Sequence, residues 1–256
     1  MGKDSNFIKF LGTAGARFVM IRQLRSSAGL WLSYKSTNLL IDPGPGCLVR
    51  CYRCRPKLDP SKLDGIILTH KHLDHSGDIN VMIEAMTDGG FKKRGELFLP
   101  ADALGRDGVL FEYLEKKVQS VKKLKKKEFA IKDIKFSVPI KNKHSVETYG
   151  VKFYLGKNIV AYVSDTKKFK KLIKAYSDST ILILNVVFFK TKPGYDHLSL
   201  FEAIDLVKEI KPKQAIFTHF GMSMLKEKPH LLEKKVREET GLDIIFAYDG
   251  MSVDIG

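Results

Sequence analysis

The stretch THKHLDHSGD, residues 69–78, holds three of the chain's seven histidines and two aspartates. It follows directly on the apolar run GIIL (65–68). A short continuous apolar run bounded by a turn reads as a buried strand, so the polar residues after it are delivered to a sheet edge. Imidazole and carboxylate are the ligands that a borderline divalent ion such as zinc prefers. One loop surrounds a metal only in part, so this reading requires histidines or aspartates at other strand ends. His144 closes VPIKNKH, Asp165 closes NIVAYVSD and His219 closes QAIFTH.

Short apolar, β-branched runs bounded by Gly, Asp or Asn predict strands at 7–12, 29–34, 37–44, 65–70 and 96–101. Further strands are expected at 134–140, 151–156, 158–165, 180–187, 214–221 and 243–250. Helical spacing appears at 45–55, 78–88, 108–127, 168–176, 199–210 and 227–240. The clearest helix starts at Ser199, an N-cap with Glu202 three residues on, and Pro212 lies past its end. Strands outnumber helices and come in two batches, which predicts an α/β chain of two sheets packed face to face with helices outside. No linker or low-complexity segment divides the chain, so residues 1–256 are read as one domain.

No stretch approaches ~20 uninterrupted apolar residues, so no membrane-spanning helix is expected. The N-terminal MGKDSNFIKFLGTAG lacks the apolar core of a secretory leader, and three cysteines do not make a disulfide scaffold. A soluble cytoplasmic protein is the expectation, and a homo-oligomer is compatible with it. The formal net charge of +15 and pI near 9.6 point to an anionic substrate or to nucleic acid or a nucleotide. Lysines are densest in EKKVQSVKKLKKKEF (115–129), read as a solvated helix face. Aromatics do not interleave with that run, so the stacking platform of a single-strand binder is missing there.

His70-x-His72-x-Asp74-His75, with His144, Asp165 and His219, resembles the ligand set of the metallo-β-lactamase superfamily. LLIDPGPG (39–46) is similar to that family's earlier strand and turn, with Asp42 as the carboxylate behind the ligands. The resemblance runs from FLGTAG to AYDG, nearly the whole chain. It implies a four-layered αββα sandwich with a dinuclear site, most simply zinc, with manganese or iron as alternatives. His70, His72 and His144 would hold one ion, Asp74, His75 and His219 the other, and Asp165 would bridge them. Paired cations acidify a bridging water and neutralise charge developing on the substrate. His72 stands where redox di-iron relatives carry glutamate, which disfavours oxygen reduction.

Within the superfamily the chain is most similar to the ribonuclease Z and cyclic phosphodiesterase branch. LGTAG (11–15), HSVETYGVKF (144–153) and SDT (164–166) resemble segments of that branch, and DHLSLFEA (196–203) resembles its additional histidine motif. The resemblance implies a metal-dependent phosphodiesterase in which Asp74 and Asp165 serve catalysis and His197 aids the departing alkoxide. The alternatives are a lactone or thioester hydrolase using the same metals, and a nucleic-acid-binding protein with a vestigial site. Ribonuclease Z enzymes usually carry a long tRNA-gripping arm. Here two strands and a tight turn at Gly156-Lys157-Asn158 fill the interval from His144 to Asp165, so no arm fits there.

Arg17, Arg22 and Arg25 fall in the loop after the first strand, where guanidinium groups suit phosphate recognition. Cys47, Cys51 and Cys54 share one helical face, which fits core packing or a metal or cluster with a further ligand. His230 is read as a surface or capping residue near the start of the last helix.

Overall fold

Alternation decides where the strands go. In TNLLI, Leu39 and Ile41 belong to one buried cluster and Leu40 to another. In ILILNVVF, Ile181 and Ile183 join the first cluster, while Leu182, Leu184 and Val186 join a third. A strand with both faces apolar must be covered on both sides, because successive side chains point to opposite faces. The computed structural model describes residues 6–27 and 29–256. The first five residues of the stretch read as lacking a leader lie outside the described residues.

The first half of the chain supplies β1 (Phe7–Phe10), β2 (Leu30–Tyr34), β3 (Thr37–Ile41), β4 (Gly65–Ile67), β5 (Glu96–Leu99) and β6 (Ser120–Lys123). The second supplies β7 (Glu128–Ile131), β8 (Ile134–Ser137), β9 (Val151–Leu155), β10 (Asn158–Tyr162), β11 (Ile181–Phe188), β12 (Leu198–Ser199), β13 (Gln214–Thr218), β14 (Ile244–Phe246) and β15 (Ser252–Asp254). One sheet has the order β15-β1-β2-β3-β4-β5-β6, the other β14-β13-β11-β10-β9-β8-β7, with β12 beside β11. Phe10, Ile41, Phe98, Phe136, Phe153 and Ile183 fill the space between the sheets.

Helices α1 (Ala16–Ile21), α2 (Cys47–Arg53), α3 (Leu73–Ser76), α4 (Ile79–Met86) and α5 (Glu112–Glu115) go with the first sheet. Helices α6 (Lys171–Tyr176), α7 (Leu200–Ile210), α8 (Met222–Lys226) and α9 (Pro229–Thr240) go with the second. Residues of α2 and α4 pack on the outer face of the first sheet and residues of α6 and α7 on that of the second, completing the four-layered αββα sandwich. The Ser199–Glu202 capping box at the start of α7 is formed in both directions. No helix among the described residues is long and apolar enough to cross a membrane.

Every expected strand has a counterpart, but the expected helix at 108–127 is realised over only one turn. Leu110, Leu114, Val118, Val121 and Leu124 have helical spacing, yet only Glu112–Glu115 is helical. The chain instead pairs Ser120–Lys123 in parallel with β5, whose edge would otherwise leave backbone groups unpaired. The lysine run therefore flanks and occupies an edge strand rather than a helix face. Lys122 pairs with Glu96, and lysine on an edge strand opposes pairing with a second chain. Cys47, Cys51 and Cys54 are buried free thiols in the cluster under the first sheet. Cys54 Sγ lies 3.3 Å from the Cys51 carbonyl, and burial raises its pKa.

Parallel pairing sets the position of the site. Strands β3 to β6, and β10, β11, β13 and β14, run parallel within their sheets. Their carboxyl ends deliver loops to a shared edge, where open α/β sheets place ligands.

Candidate metal centre

Asp42 follows β3, Thr69 to His75 follow β4, Asp165 follows β10 and His219 follows β13. The chain turns sharply at three of these ends: Asp42, Ser164 and His219 have φ of 54°, 55° and 62°. Non-glycine residues in this left-handed region cost energy and persist where the surroundings fix them. Gly15 is part of those surroundings. A Cβ there would lie 1.9 Å from the His219 carbonyl oxygen, so only glycine lets the strand-end segments meet.

Four overlapping groups of ligand atoms form where these loops converge. They are His70–His72–His144, His70–His75–Asp165, Asp74–His75–His219 and His144–Asp165–His197, each with atoms within 4.8 Å of one another. Asp165 sits at the centre. Its Oδ2 is 3.7 Å from His70 Nε2, 3.5 Å from His75 Nε2, 4.0 Å from His144 Nε2 and 3.5 Å from His197 Nδ1. Its Oδ1 is 3.5 Å from His219 Nε2.

The outer nitrogens decide what the inner ones offer. His75 Nδ1 donates to Asp42 Oδ2 at 2.9 Å, and His144 Nδ1 donates to the Asp196 carbonyl at 3.0 Å. Thr69 Oγ1 gives its proton to Asp42 and therefore accepts from His70 Nδ1 at 3.2 Å. The rings of His70, His75 and His144 are thereby held with their other nitrogen facing inward. His70 Nε2 and His197 Nδ1 are buried with no hydrogen-bond partner among the described residues. His144 Nε2 faces His72 Nδ1 at 3.1 Å, and His75 Nε2 faces His219 Nε2 at 3.2 Å. Buried polar atoms are normally paired, and imidazole nitrogens turned toward one another beside carboxylates fit a cation that takes the place of their protons.

Charge follows the same division. Burial, helped by His75, holds the His70 pKa well below the usual imidazole value, and burial with His144 lowers that of His72. For His75 burial is outweighed by the carboxylates of Asp42, Asp165 and Asp74, which hold it well above. His219 is likewise pushed up to about 9, burial being overcome by Asp165. Asp165 is buried, yet His219, His197 and His75 keep it well below the ordinary carboxylate range.

The model of the β-lactamase superfamily domain matches residues 37–220. The chain belongs to the metallo-β-lactamase superfamily. It is 30% identical to the uncharacterized protein MJ1374 of Methanocaldococcus jannaschii over 97% of this chain and 94% of that protein. It is 24% identical to ribonuclease Z of Borreliella burgdorferi, over 96% of each. The crystal structure of the metallo-β-lactamase fold protein YhfI from Bacillus subtilis superposes with a TM-score of 0.80, covering 98% of this chain and all of that one at 19% identity. The chain is thus a metal-dependent hydrolase near the ribonuclease Z branch, and the fold family implies divalent metal ions.

The structure brings together all seven side chains that the resemblance names as ligands, with Asp42 behind them and His197 beside them. Of Arg17, Arg22 and Arg25, Arg17 alone lines the site. It lines a mouth of about 410 Å³ with His72, Asp74, Asp165 and His197. The first-strand loop is in fact helical over Ala16–Ile21. Arg22 caps that helix, outside the mouth. Arg25 is drawn inward, donating to Thr13 Oγ1 at 2.8 Å and the Ala247 carbonyl at 3.2 Å, with its guanidinium over the Phe220 ring. His230 is exposed on α9 and joins none of the ligand groups among the described residues.

Two residues went unnoticed in the sequence. Asn185 Nδ2 donates to Asp165 Oδ1 at 2.8 Å, and the Tyr162 hydroxyl donates to Asp42 Oδ2 at 3.0 Å. Asn185 carried a signal, being the single amide inside the apolar strand ILILNVVF. Tyr162 carried none, since tyrosine is an ordinary strand residue.

Proposed function

We propose that this protein hydrolyses phosphodiesters with two divalent metal ions, zinc in the working enzyme, and that its substrate is a nucleotide, RNA or cyclic phosphate ester. The observation that carries the reading is the central position of Asp165 between two sets of inward-facing ligand atoms. His70, His72 and His144 would hold one ion, and Asp74, His75 and His219 the other, with Asp165 shared. When bound, such a pair supplies a water that ionises near neutrality and offsets charge on the phosphate oxygens.

The chain's own residues then have separate tasks. Asp42 and Thr69 fix the tautomers of His75 and His70, and Asn185 fixes the carboxylate of Asp165. Asp74 lines the mouth, where its carboxylate orients the attacking water. Arg17 stands at the same mouth and meets a phosphate oxygen with its guanidinium. His197 holds a proton on its imidazole and passes it to the departing oxygen. Burial lowers its pKa, and Asp165 opposes that shift by favouring the protonated ring.

The test is metal analysis paired with assays of bis(p-nitrophenyl) phosphate, a lactone, a thioester and a β-lactam. Phosphodiester turnover that rises with zinc content is expected. Turnover of a lactone or thioester with none of the phosphodiester would overturn the reading.

A further inference from the structure

The segment between β11 and His197 reads Phe188-Phe-Lys-Thr-Lys-Pro-Gly-Tyr-Asp-His. Aromatics and lysines interleave here, as they do not at 115–129. We infer that this segment and α1 enclose a nucleoside-monophosphate subsite beside the metal centre, which takes the base and outer phosphate of the nucleotide adjoining the scissile ester. The direction of the substrate rests on the phosphodiesterase reading above.

The segment walls a cavity of about 540 Å³, lined by its Phe188 and Phe189 together with Phe18 of α1 and Met222 of α8. That volume lies within the ~300–1,000 Å³ of small-ligand sites. Ala16 lines both this cavity and the mouth that holds His72, Asp74, Asp165 and His197, so the two spaces adjoin. The Phe188 ring meets His197 edge-on at 5.9 Å and Tyr195 at 5.6 Å. One side chain therefore separates the cavity wall from the proposed acid.

The wall is fixed. The Phe189 N–H donates to Ser223 Oγ at 3.1 Å, Thr191 Oγ1 lies 2.9 Å from Ser199 Oγ, and the Gly221 N–H donates to the Val187 carbonyl at 3.1 Å. A Cβ at Gly221 would lie 2.5 Å from that carbonyl oxygen. Aromatic surface nevertheless remains open, because Phe18, which lines the cavity, is 55% exposed. Bases of any identity stack on such faces.

Charge selects the occupant. Lys190, Lys192 and Lys226 line the cavity against the single carboxylate of Glu227. Lys192 Nζ stands over the rings of Tyr195 at 4.2 Å and Phe188 at 5.7 Å. A neutral acyl chain would leave these ammonium groups without an anion, and a fatty carboxylate offers them one charge but no base to stack, whereas a nucleoside monophosphate uses both the aromatic wall and the lysines.

Calorimetry on the zinc-loaded protein with adenosine 5′-monophosphate, ribose 5-phosphate and octanoate tests this. Adenosine 5′-monophosphate is expected to bind at least about tenfold more tightly than ribose 5-phosphate. Phe18→Ala should weaken the nucleotide about fivefold or more and leave ribose 5-phosphate affinity in place, while Lys192→Ala should weaken both. Both side chains are exposed, so thermal melts matching the wild type are expected to accompany these losses. No preference for the nucleotide, insensitivity to both variants, or tighter binding of octanoate overturns the inference. Nucleotide binding of this pattern without phosphodiester turnover supports the subsite while rejecting the reaction. Turnover of bis(p-nitrophenyl) phosphate without nucleotide preference rejects the subsite alone.

Discussion

Asp42 Oδ2 accepts the Nδ1 proton of His75 at 2.9 Å, and that contact turns the other ring nitrogen toward His219 Nε2, 3.2 Å away. The same carboxylate takes the backbone N–H and hydroxyl of Thr69 and the hydroxyl of Tyr162. Four donors on one buried carboxylate fix its rotamer, and through it the tautomer of the ring that would bind metal.

Asp42→Asn tests that arrangement with little backbone cost, because asparagine tolerates the left-handed φ of 54° found there. Its amide nitrogen cannot accept from His75, so the imidazole is free to take the other tautomer. Metal affinity should fall about 10- to 100-fold, measured by competition with a chromophoric chelator. Unchanged affinity would remove Asp42 from any orienting role.

His197→Ala separates proton transfer from metal binding. Loss of a general acid should lower turnover by about 10²–10⁴-fold, with metal content by elemental analysis unchanged. The Nδ1 of His197 forms a group with His144 and Asp165 within 4.8 Å. A variant that loses metal would therefore make His197 a ligand.

Metal removal should cost stability, because Asp165 and the histidines around it are buried for a cation to join. A metal present at 100 times its Kd stabilises the fold by about 2.7 kcal/mol. For a chain of this length that is a fall in Tm of about 5–10 °C on chelation. Differential scanning calorimetry with and without chelator reads it, and coincident melts would show that the cluster is stable without a cation.

Much of this centre is legible in the sequence because its ligands sit at the ends of continuous apolar runs. GIIL before His70 and NIVAYVS before Asp165 are strands by composition, and parallel strands bring their carboxyl ends to one edge. What escaped depended on pairing that no single segment carries. Residues 110–124 have helical spacing, but only Glu112–Glu115 is helical, and Ser120–Lys123 becomes an edge strand because β5 needs a backbone partner. Arg25 lies in the same stretch as Arg17, yet its guanidinium is held by Thr13, Ala247 and Phe220. Those last two partners are about two hundred residues further along the chain.

Tyr176 offers a test away from the metals. Its side chain is wholly buried on α6, and its hydroxyl has no hydrogen-bond partner among the described residues. Burial alone raises its pKa. A buried unsatisfied polar group costs about 1–3 kcal/mol, so Tyr176→Phe should stabilise the protein by about 1 kcal/mol near neutrality. The corresponding rise in Tm is about 2–4 °C. The pH dependence has a definite sign. A phenol whose folded pKa is raised keeps its full contribution to stability below the unfolded value of about 10 and loses it above. The wild type therefore weakens above pH ~10 through this residue and the variant does not, so the gap between their melts should widen in alkali. A variant that melts lower than the wild type at neutral pH would show that the hydroxyl is held by a partner after all.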